Sequence, residues 1–390
     1  MSVADAMLGL FRRNAQELAA VEVPAGHVEP GVGAPAPPAA TALQGNDGYF
    51  QLWATSLFLQ HDRDWFTDWY PVVQSAVSFR YADLPQPLEI PGVAGPGQLF
   101  KTLAPDNLAQ VVVLDYPLTP LVPFRGGTVT VEVGLLAMRG ADDYLRRFLD
   151  VIGDFASLVT VPQLSLALTV ASKVGAGIHL LAGATGDHLA VGYQRTFQAG
   201  DGDGANGLRA AAFAVINGPR ERYPADGLWV HEGRLHLAAP GAARAEPVAA
   251  DHALFRIETR AERDDWDQLG AIAAPFARAM DALAQLDARN RPNVRLADAQ
   301  ITQAILATLQ SPDLTERDRG VVAAKIRDRY KERKRVLLGD GDRVARAAGP
   351  WPPLPARPED RADTLAAVLR APGATRGVAP ASWAELLDVS

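Results

Sequence analysis

Three groups of residues in this 390-residue chain have types and spacings that chemistry uses. The first is His61-Asp62-Arg63-Asp64-Trp65, with Asp68 and Trp69 close behind. Carboxylates beside aromatic rings are the raw material of glycosidase sites, where one acid protonates the leaving group and a second carboxylate acts as base or nucleophile. Asp62 and Asp64 are too close in the chain for a carboxylate separation to follow. An acidic surface loop with aromatic anchors is therefore preferred, and a hydrolase site near 61–70 ranks third among the functional readings. Asp264, Asp265 and Asp267 sit where a helix should begin, and carboxylates there favour the helix dipole. Trp266 between them reads as a core plug.

The second group is histidine. The chain has seven, at 27, 61, 179, 188, 231, 236 and 252. His231 and His236 flank a hairpin-like turn at His231-Glu232-Gly233, where they can face each other, with His188 and His252 the nearest candidates to join. Two imidazoles without a third ligand are a poor metal signal, and no zinc-type spacing is present. Neither a metal nor a cofactor is expected. The third group, Asp201-Gly202-Asp203-Gly204-Ala205-Asn206-Gly207, looks like a calcium loop and fails as one. Counting from Asp201, position 5 is Ala205, position 6 is Asn206 and position 12 is Ala212, where an EF-hand needs an oxygen ligand, glycine and glutamate.

Other chemistries are excluded more firmly. There is no cysteine, hence no disulfide, thiolate nucleophile or cysteine-held metal. No Gly-x-Ser-x-Gly elbow, phosphate loop or dinucleotide fingerprint is found; Val174-Gly175-Ala176-Gly177-Ile178-His179 lacks the third glycine.

The two termini read as interaction devices instead, the N-terminal amphipathic helix on its linker and the C-terminal tail. The chain also carries a basic helix that reads first as a solvated face opposite its core stripe. Arg317 to Arg335 holds nine basic and three acidic residues, a basic face beside the stripe Val321, Val322, Ile326 and Tyr330. Arg327, Lys331 and Arg335 are its candidate partner-binding residues. Only Tyr330 interleaves, so the stacking element for single-stranded nucleic acid is thin. The tail carries Trp351 among prolines, then Trp383, Leu386 and Leu387 on one face of a helical pattern. That face must be buried against the chain itself or a partner's groove.

These residues need a scaffold. Residues 2–23 show helical spacing, and the Pro-, Gly- and Ala-rich stretch 24–48 reads as a linker that detaches them. Short strand patterns then recur from 49 to 260. The clearest is Thr128–Ala137, where Val129, Val131 and Val133 alternate with Thr128, Thr130 and Glu132. Others fall at 50–60, 71–81, 111–114, 164–172, 178–181, 189–197, 210–216, 227–230, 234–237 and 253–260. Residues 85–96, with four prolines, read as a loop. Residues 142–158 switch to helical period. From 261 to 339 the pattern is helical: one stripe through Trp266 and Leu286 that Pro275 kinks or splits, a second helix over 298–310, and a third opening at Thr315-Glu316-Arg317-Asp318 like a capping box. Residues 340–390 form a Pro-rich tail with short helical patterns. The expected class is α+β: an antiparallel sandwich or barrel-like core with an inserted helix, then a helical C-terminal part.

Hydrophobic residues make up 48% of the chain, enough for a packed core, and the net charge of −7 points away from nucleic acid. Of 38 basic residues 33 are arginine; with abundant Ala, Gly and Pro this reads as the bias of a GC-rich bacterial genome. No export signal is evident, so the cytoplasm is expected. The leading functional reading is a non-enzymatic interaction or scaffold component of a bacterial multi-protein system, binding a partner protein through the β-rich platform and its terminal helices. The second is a membrane-acting effector. Residues 161–184 are nearly all apolar or small, with Lys173 their only charge, and would open as a membrane hairpin after activation. The sequence sets no oligomeric state.

Overall fold

The structure, a computed structural model, describes residues 18–29, 41–60, 63–64, 67–82, 84–95, 111–139, 164, 188–199, 206–238, 245–285 and 292–338. The chain divides into two compact units, Met1–Glu262 and Arg263–Ser390.

The first unit is built of strands. In chain order these are β1 (Leu18–Val23), β2 (Tyr49–Phe58), β3 (Arg63–Asp64), β4 (Thr67–Phe79), β5 (Leu88–Ala94), β6 (Val111–Pro117), β7 (Val122–Pro123), β8 (Thr128–Arg139), β9 (His188–Gln198), β10 (Ala211–Asn217), β11 (Leu228–His231), β12 (Arg234–Ala238), β13 (Ala245–Pro247) and β14 (His252–Arg260). They form three sheets. One runs β1-β10-β14-β2-β6 with β7 also on β2, one runs β3-β4-β8-β9 with β5 also on β4, and a small one runs β11-β12-β13. The named strands pair antiparallel throughout.

Strand pleat explains how the layers share residues. On β10, Phe213 and Val215 join a core with Phe50 of β2, Val77 of β4 and Val131 of β8. Ala212, Ala214 and Ile216, of opposite parity, join a second core with Leu228, Val230 and Leu235 of the small sheet. A strand covered on both faces has no polar side to show, and this is why Ala-Ala-Phe-Ala-Val-Ile lacks alternation.

The second unit holds α1 (Gly270–Ala284), α2 (Pro292–Gln310) and α3 (Glu316–Leu338). Its core is Ile272, Ala279 and Leu283 of α1, Ala297, Ile301 and Ile305 of α2, and Val322, Ile326 and Tyr330 of α3, with Trp266 beside them. The chain is α+β, with antiparallel sheets followed by helices.

Several expectations change. Residues 18–23, expected to close an N-terminal helix, are the edge strand β1, laddered on β10 from Leu18↔Asn217 to Val23↔Ala212. Ala19, Val21 and Val23 are buried with polar or part-exposed neighbours between them. That period of two, with β-branched valines and an open sheet edge, overrides a helical spacing carried largely by alanine and leucine. The stretch after it does not hang free at its described ends: the Glu29 amide donates to Val230 O at 3.0 Å, and that of Leu43 to Leu208 O at 2.7 Å. Residues 88–94, expected as loop, are β5. An edge strand tolerates Pro91, and Gly92 fits a tight approach in which a Cβ would stand 2.6 Å from the Leu118 carbonyl oxygen. Glu132, expected outward, is buried and accepts from Gln194 Nε2 at 2.8 Å across the β8–β9 ladder. Pro275 does not split α1, which is continuous through it. The expected helix at 142–158, the expected strands at 164–172 (of which Leu164 alone is described, and is helical) and 178–181, and the tail at 340–390 lie outside the described residues.

Candidate functional site

In the helical unit, α3 presents several stripes that turn by about 100° per residue. One faces inward through Val322, Ile326 and Tyr330. The Tyr330 hydroxyl donates to Asp298 Oδ1 on α2 at 2.6 Å, and Lys334 Nζ adds a bond to the same oxygen at 3.1 Å. Burial, then the Asp298 carboxylate, push the Tyr330 hydroxyl well above the ordinary tyrosine range, so it stays protonated as a donor.

The start of α3 is a buried charged latch. Thr315 Oγ1 accepts from the Asp318 amide at 3.2 Å, half of the expected capping box. The Asp318 carboxylate reaches outside the box and accepts from the Arg263 amide at 3.0 Å. The Arg263 side chain is 1% exposed and forks onto Asp265 at 2.6 and 3.0 Å. Arg319 donates twice to the Ser311 carbonyl, at 3.0 and 2.6 Å. These charges hold the helix rather than a ligand, and the same holds for Asp265 in the trio Asp264, Asp265 and Asp267. Trp266 is buried, as expected of a core plug.

A second stripe of α3 forms a groove with α1. Phe276 and Met280 come from α1; Asp328, Arg329, Glu332, Arg333 and Val336 come from α3; the cavity is about 640 Å³. Trp266 anchors its end: Phe276 meets it edge-on at 5.5 Å, and the Arg329 guanidinium lies 5.0 Å from its ring centroid. The wall thus alternates acid and base around an apolar floor. Val336 is 64% exposed and the following Leu337 is 40% exposed, so the apolar strip runs on along the end of the helix.

The sequence singled out Arg327, Lys331 and Arg335. The structure places all three on the next stripe round, outside the groove lining. Arg327 Nε bonds Asp328 at 3.2 Å, Arg335 Nη2 bonds Glu332 at 2.9 Å, and Lys331 is exposed. Phe276 and Met280 read in the sequence as core stripe, and the signal for the groove was Val336-Leu337, two apolar residues continuing a charged helix. Trp351, Trp383, Leu386 and Leu387 lie outside the described residues.

In the β-rich unit the acidic–aromatic segment is only partly described. The β3–β4 ladder places Asp68 opposite Arg63 and Asp64 opposite Thr67, two positions of opposite parity; His61, Asp62 and Trp65 lie outside the described residues. The calcium-like loop at 201–205 and the apolar stretch 161–184, apart from buried Leu164, also lie outside them. No described helix is long and apolar enough to cross a membrane.

The expected hairpin at 231–234 is present. Glu232 and Gly233 both have positive φ, 50° and 73°, the backbone of a tight two-residue turn. The register pairs Trp229 with His236 and His231 with Arg234 on the outer face. His231 and His236 do face each other, with ring centroids 5.9 Å apart at 71°. His27 joins them by stacking on Trp229 at 3.7 Å and 10°. On the inner side His252 is buried. It stacks on Phe58 at 5.3 Å, and Nδ1 bonds the Ala250 carbonyl at 2.8 Å. Desolvation lowers its pKa to about 4, so it is neutral. A further charged group, Glu22 of β1 with Arg209 at 2.8 Å and Arg195 at 3.5 Å, ties β1 to β9. Among the described residues no three His, Asp, Glu or Cys side chains are grouped to hold a metal.

The sequence matches no protein-family model, and no curated protein matches it.

Proposed function

We propose that the chain is a non-enzymatic interaction protein whose helical unit receives an amphipathic helix of a partner protein in the groove between α1 and α3. The groove itself carries this reading: an apolar floor of Phe276 and Met280, continued by exposed Val336, beneath a wall alternating Asp328, Arg329, Glu332 and Arg333. Helix-in-groove recognition takes apolar anchors at helical spacing. A wall of both signs fits a partner helix with an apolar stripe flanked by both acids and bases.

The chain's own segment 376–390 has anchors of this kind in Trp383, Leu386 and Leu387, with Arg376, Glu385 and Asp388 around them, and serves as the probe. A fluorescent peptide of these residues is titrated onto the full chain, onto Val336→Glu, and onto a chain with Trp383, Leu386 and Leu387 changed to alanine. Binding to the wild type that Val336→Glu weakens at least tenfold supports the reading. Binding only to the chain with the altered tail overturns the partner and assigns the groove to the chain's own tail. Peptide bound by none of the three removes the groove as a helix receptor.

A further inference from the structure

The outer face of the β11–β12 hairpin gathers imidazoles in one bonding state. His231 Nδ1 is 2.5 Å from Glu29 Oε2, His236 Nδ1 is 3.2 Å from the Arg234 carbonyl, and His27 Nδ1 is 3.0 Å from the Leu228 carbonyl. Carbonyl and carboxylate oxygens accept, so in each ring Nδ1 donates. A neutral imidazole with its proton on Nδ1 keeps a lone pair on Nε2, and no described group bonds Nε2 of His231 or His236.

This is the arrangement that metal-binding histidines use: one ring nitrogen on the ion, the other donating to a carboxylate or backbone carbonyl that fixes the tautomer and raises basicity. The ring spacing agrees. With a metal–nitrogen bond of about 2.0–2.1 Å, two imidazoles on one ion have centroids roughly 5–6 Å apart, and these stand 5.9 Å apart. The two-residue turn sets the strand register, and with it the side chains' places on one face. Their surroundings leave room for an ion, since the His231 side chain is 56% exposed.

We propose that His231 and His236 bind a late first-row divalent ion, of the Cu²⁺, Ni²⁺ or Zn²⁺ class, through their Nε2 atoms, with Glu29 orienting His231. With no third protein ligand grouped there among the described residues, water completes the coordination. Imidazole donors select this class over Mg²⁺ and Ca²⁺, which take oxygen. The site lies in the β-rich unit and stands independently of the helical groove.

Titration calorimetry with Ni²⁺ alone on the full chain tests it, alongside Cu²⁺ quenching of Trp229, read as the difference between wild type and Trp229→Phe. His231→Ala and His236→Ala should each weaken binding at least tenfold, and Glu29→Gln by about tenfold, in line with losses of an orienting carboxylate. Mg²⁺ should give no signal. Circular dichroism of each variant confirms the fold. Equal Ni²⁺ affinity in the wild type and the His231→Ala/His236→Ala double variant overturns the site. Loss in the histidine variants with no change in Glu29→Gln overturns the orienting role of Glu29.

Discussion

His252 makes the β-rich unit sensitive to acid in a way one substitution should reverse. Its imidazole is buried and stacks on Phe58. The groups around it are the Ala250 carbonyl that Nδ1 bonds, the Asp251 carboxylate and the ring of His236. Burial holds the folded pKa near 4, against 6.5 for the ordinary side chain. The unfolded chain therefore takes up a proton below about pH 6.5, and the folded one only near pH 4. Protons bind preferentially to the unfolded state across that window. Stability is fully present above 6.5 and falls with decreasing pH, by up to about 1.4 kcal/mol per pH unit and about 3 kcal/mol in all. His252→Phe keeps the ring against Phe58 and removes the titration. It loses the bond to Ala250 O, a cost of about 1–2 kcal/mol. The wild type should then be the more stable at pH 7 by about that amount and the less stable at pH 4 by a similar amount, with the curves crossing between. Urea unfolding of both proteins, followed by loss of strand circular dichroism at half-unit pH steps, gives the difference curve, in which carboxylates common to both cancel. Parallel stability curves from pH 4 to 7 would refute the reasoning.

Two further substitutions test the packing of each unit. Arg263→Met should destabilise the helical unit by about 2 kcal/mol, because it removes a buried guanidinium that bonds the part-exposed Asp265 carboxylate and the Asp313 carbonyl; an unfolding midpoint for the helical signal within error of wild type would contradict the latch. Gly92→Ala should cost the β-rich unit about 2 kcal/mol, since its Cβ would stand 2.6 Å from Leu118 O, and an unchanged midpoint would show that β5 shifts freely.

Most strands were legible as short apolar, β-branched and aromatic runs bounded by turn residues. Val129, Val131 and Val133 of β8 announce themselves through their alternation with Thr128, Thr130 and Glu132. The failures share a cause. β1 was read as helix because Leu18, Ala19 and Ala20 suit either state, and what decides is the waiting edge of β10, almost two hundred residues away. β5 was read as loop because prolines and glycines signal turns, whereas on an edge strand they remove only a hydrogen bond the sheet does not use or a side chain it cannot fit. Both errors concern edges, where long-range pairing supplies what local propensity does not.

The candidate sites fail to show in the sequence for a related reason. Nine basic residues among the nineteen from Arg317 to Arg335 invite a nucleic-acid reading, yet the fold spends them otherwise. Arg319 closes the turn before α3, Lys334 joins Tyr330 on Asp298, and Arg329 covers Trp266. Arg327 and Arg335 bond acids on their own helix. A helical pattern shows which residues share a stripe but not which stripe another helix will flank, so Phe276 and Met280 looked like core and Arg327, Lys331 and Arg335 like a binding face. The hairpin differs. Its two-residue turn is local, so the facing of His231 and His236 across it followed from the sequence. Glu29, which makes one of those histidines more than an exposed ring, arrives from two hundred residues earlier through a backbone bond to Val230. Short-range turns set the geometry of such a surface, and long-range pairing sets its chemistry.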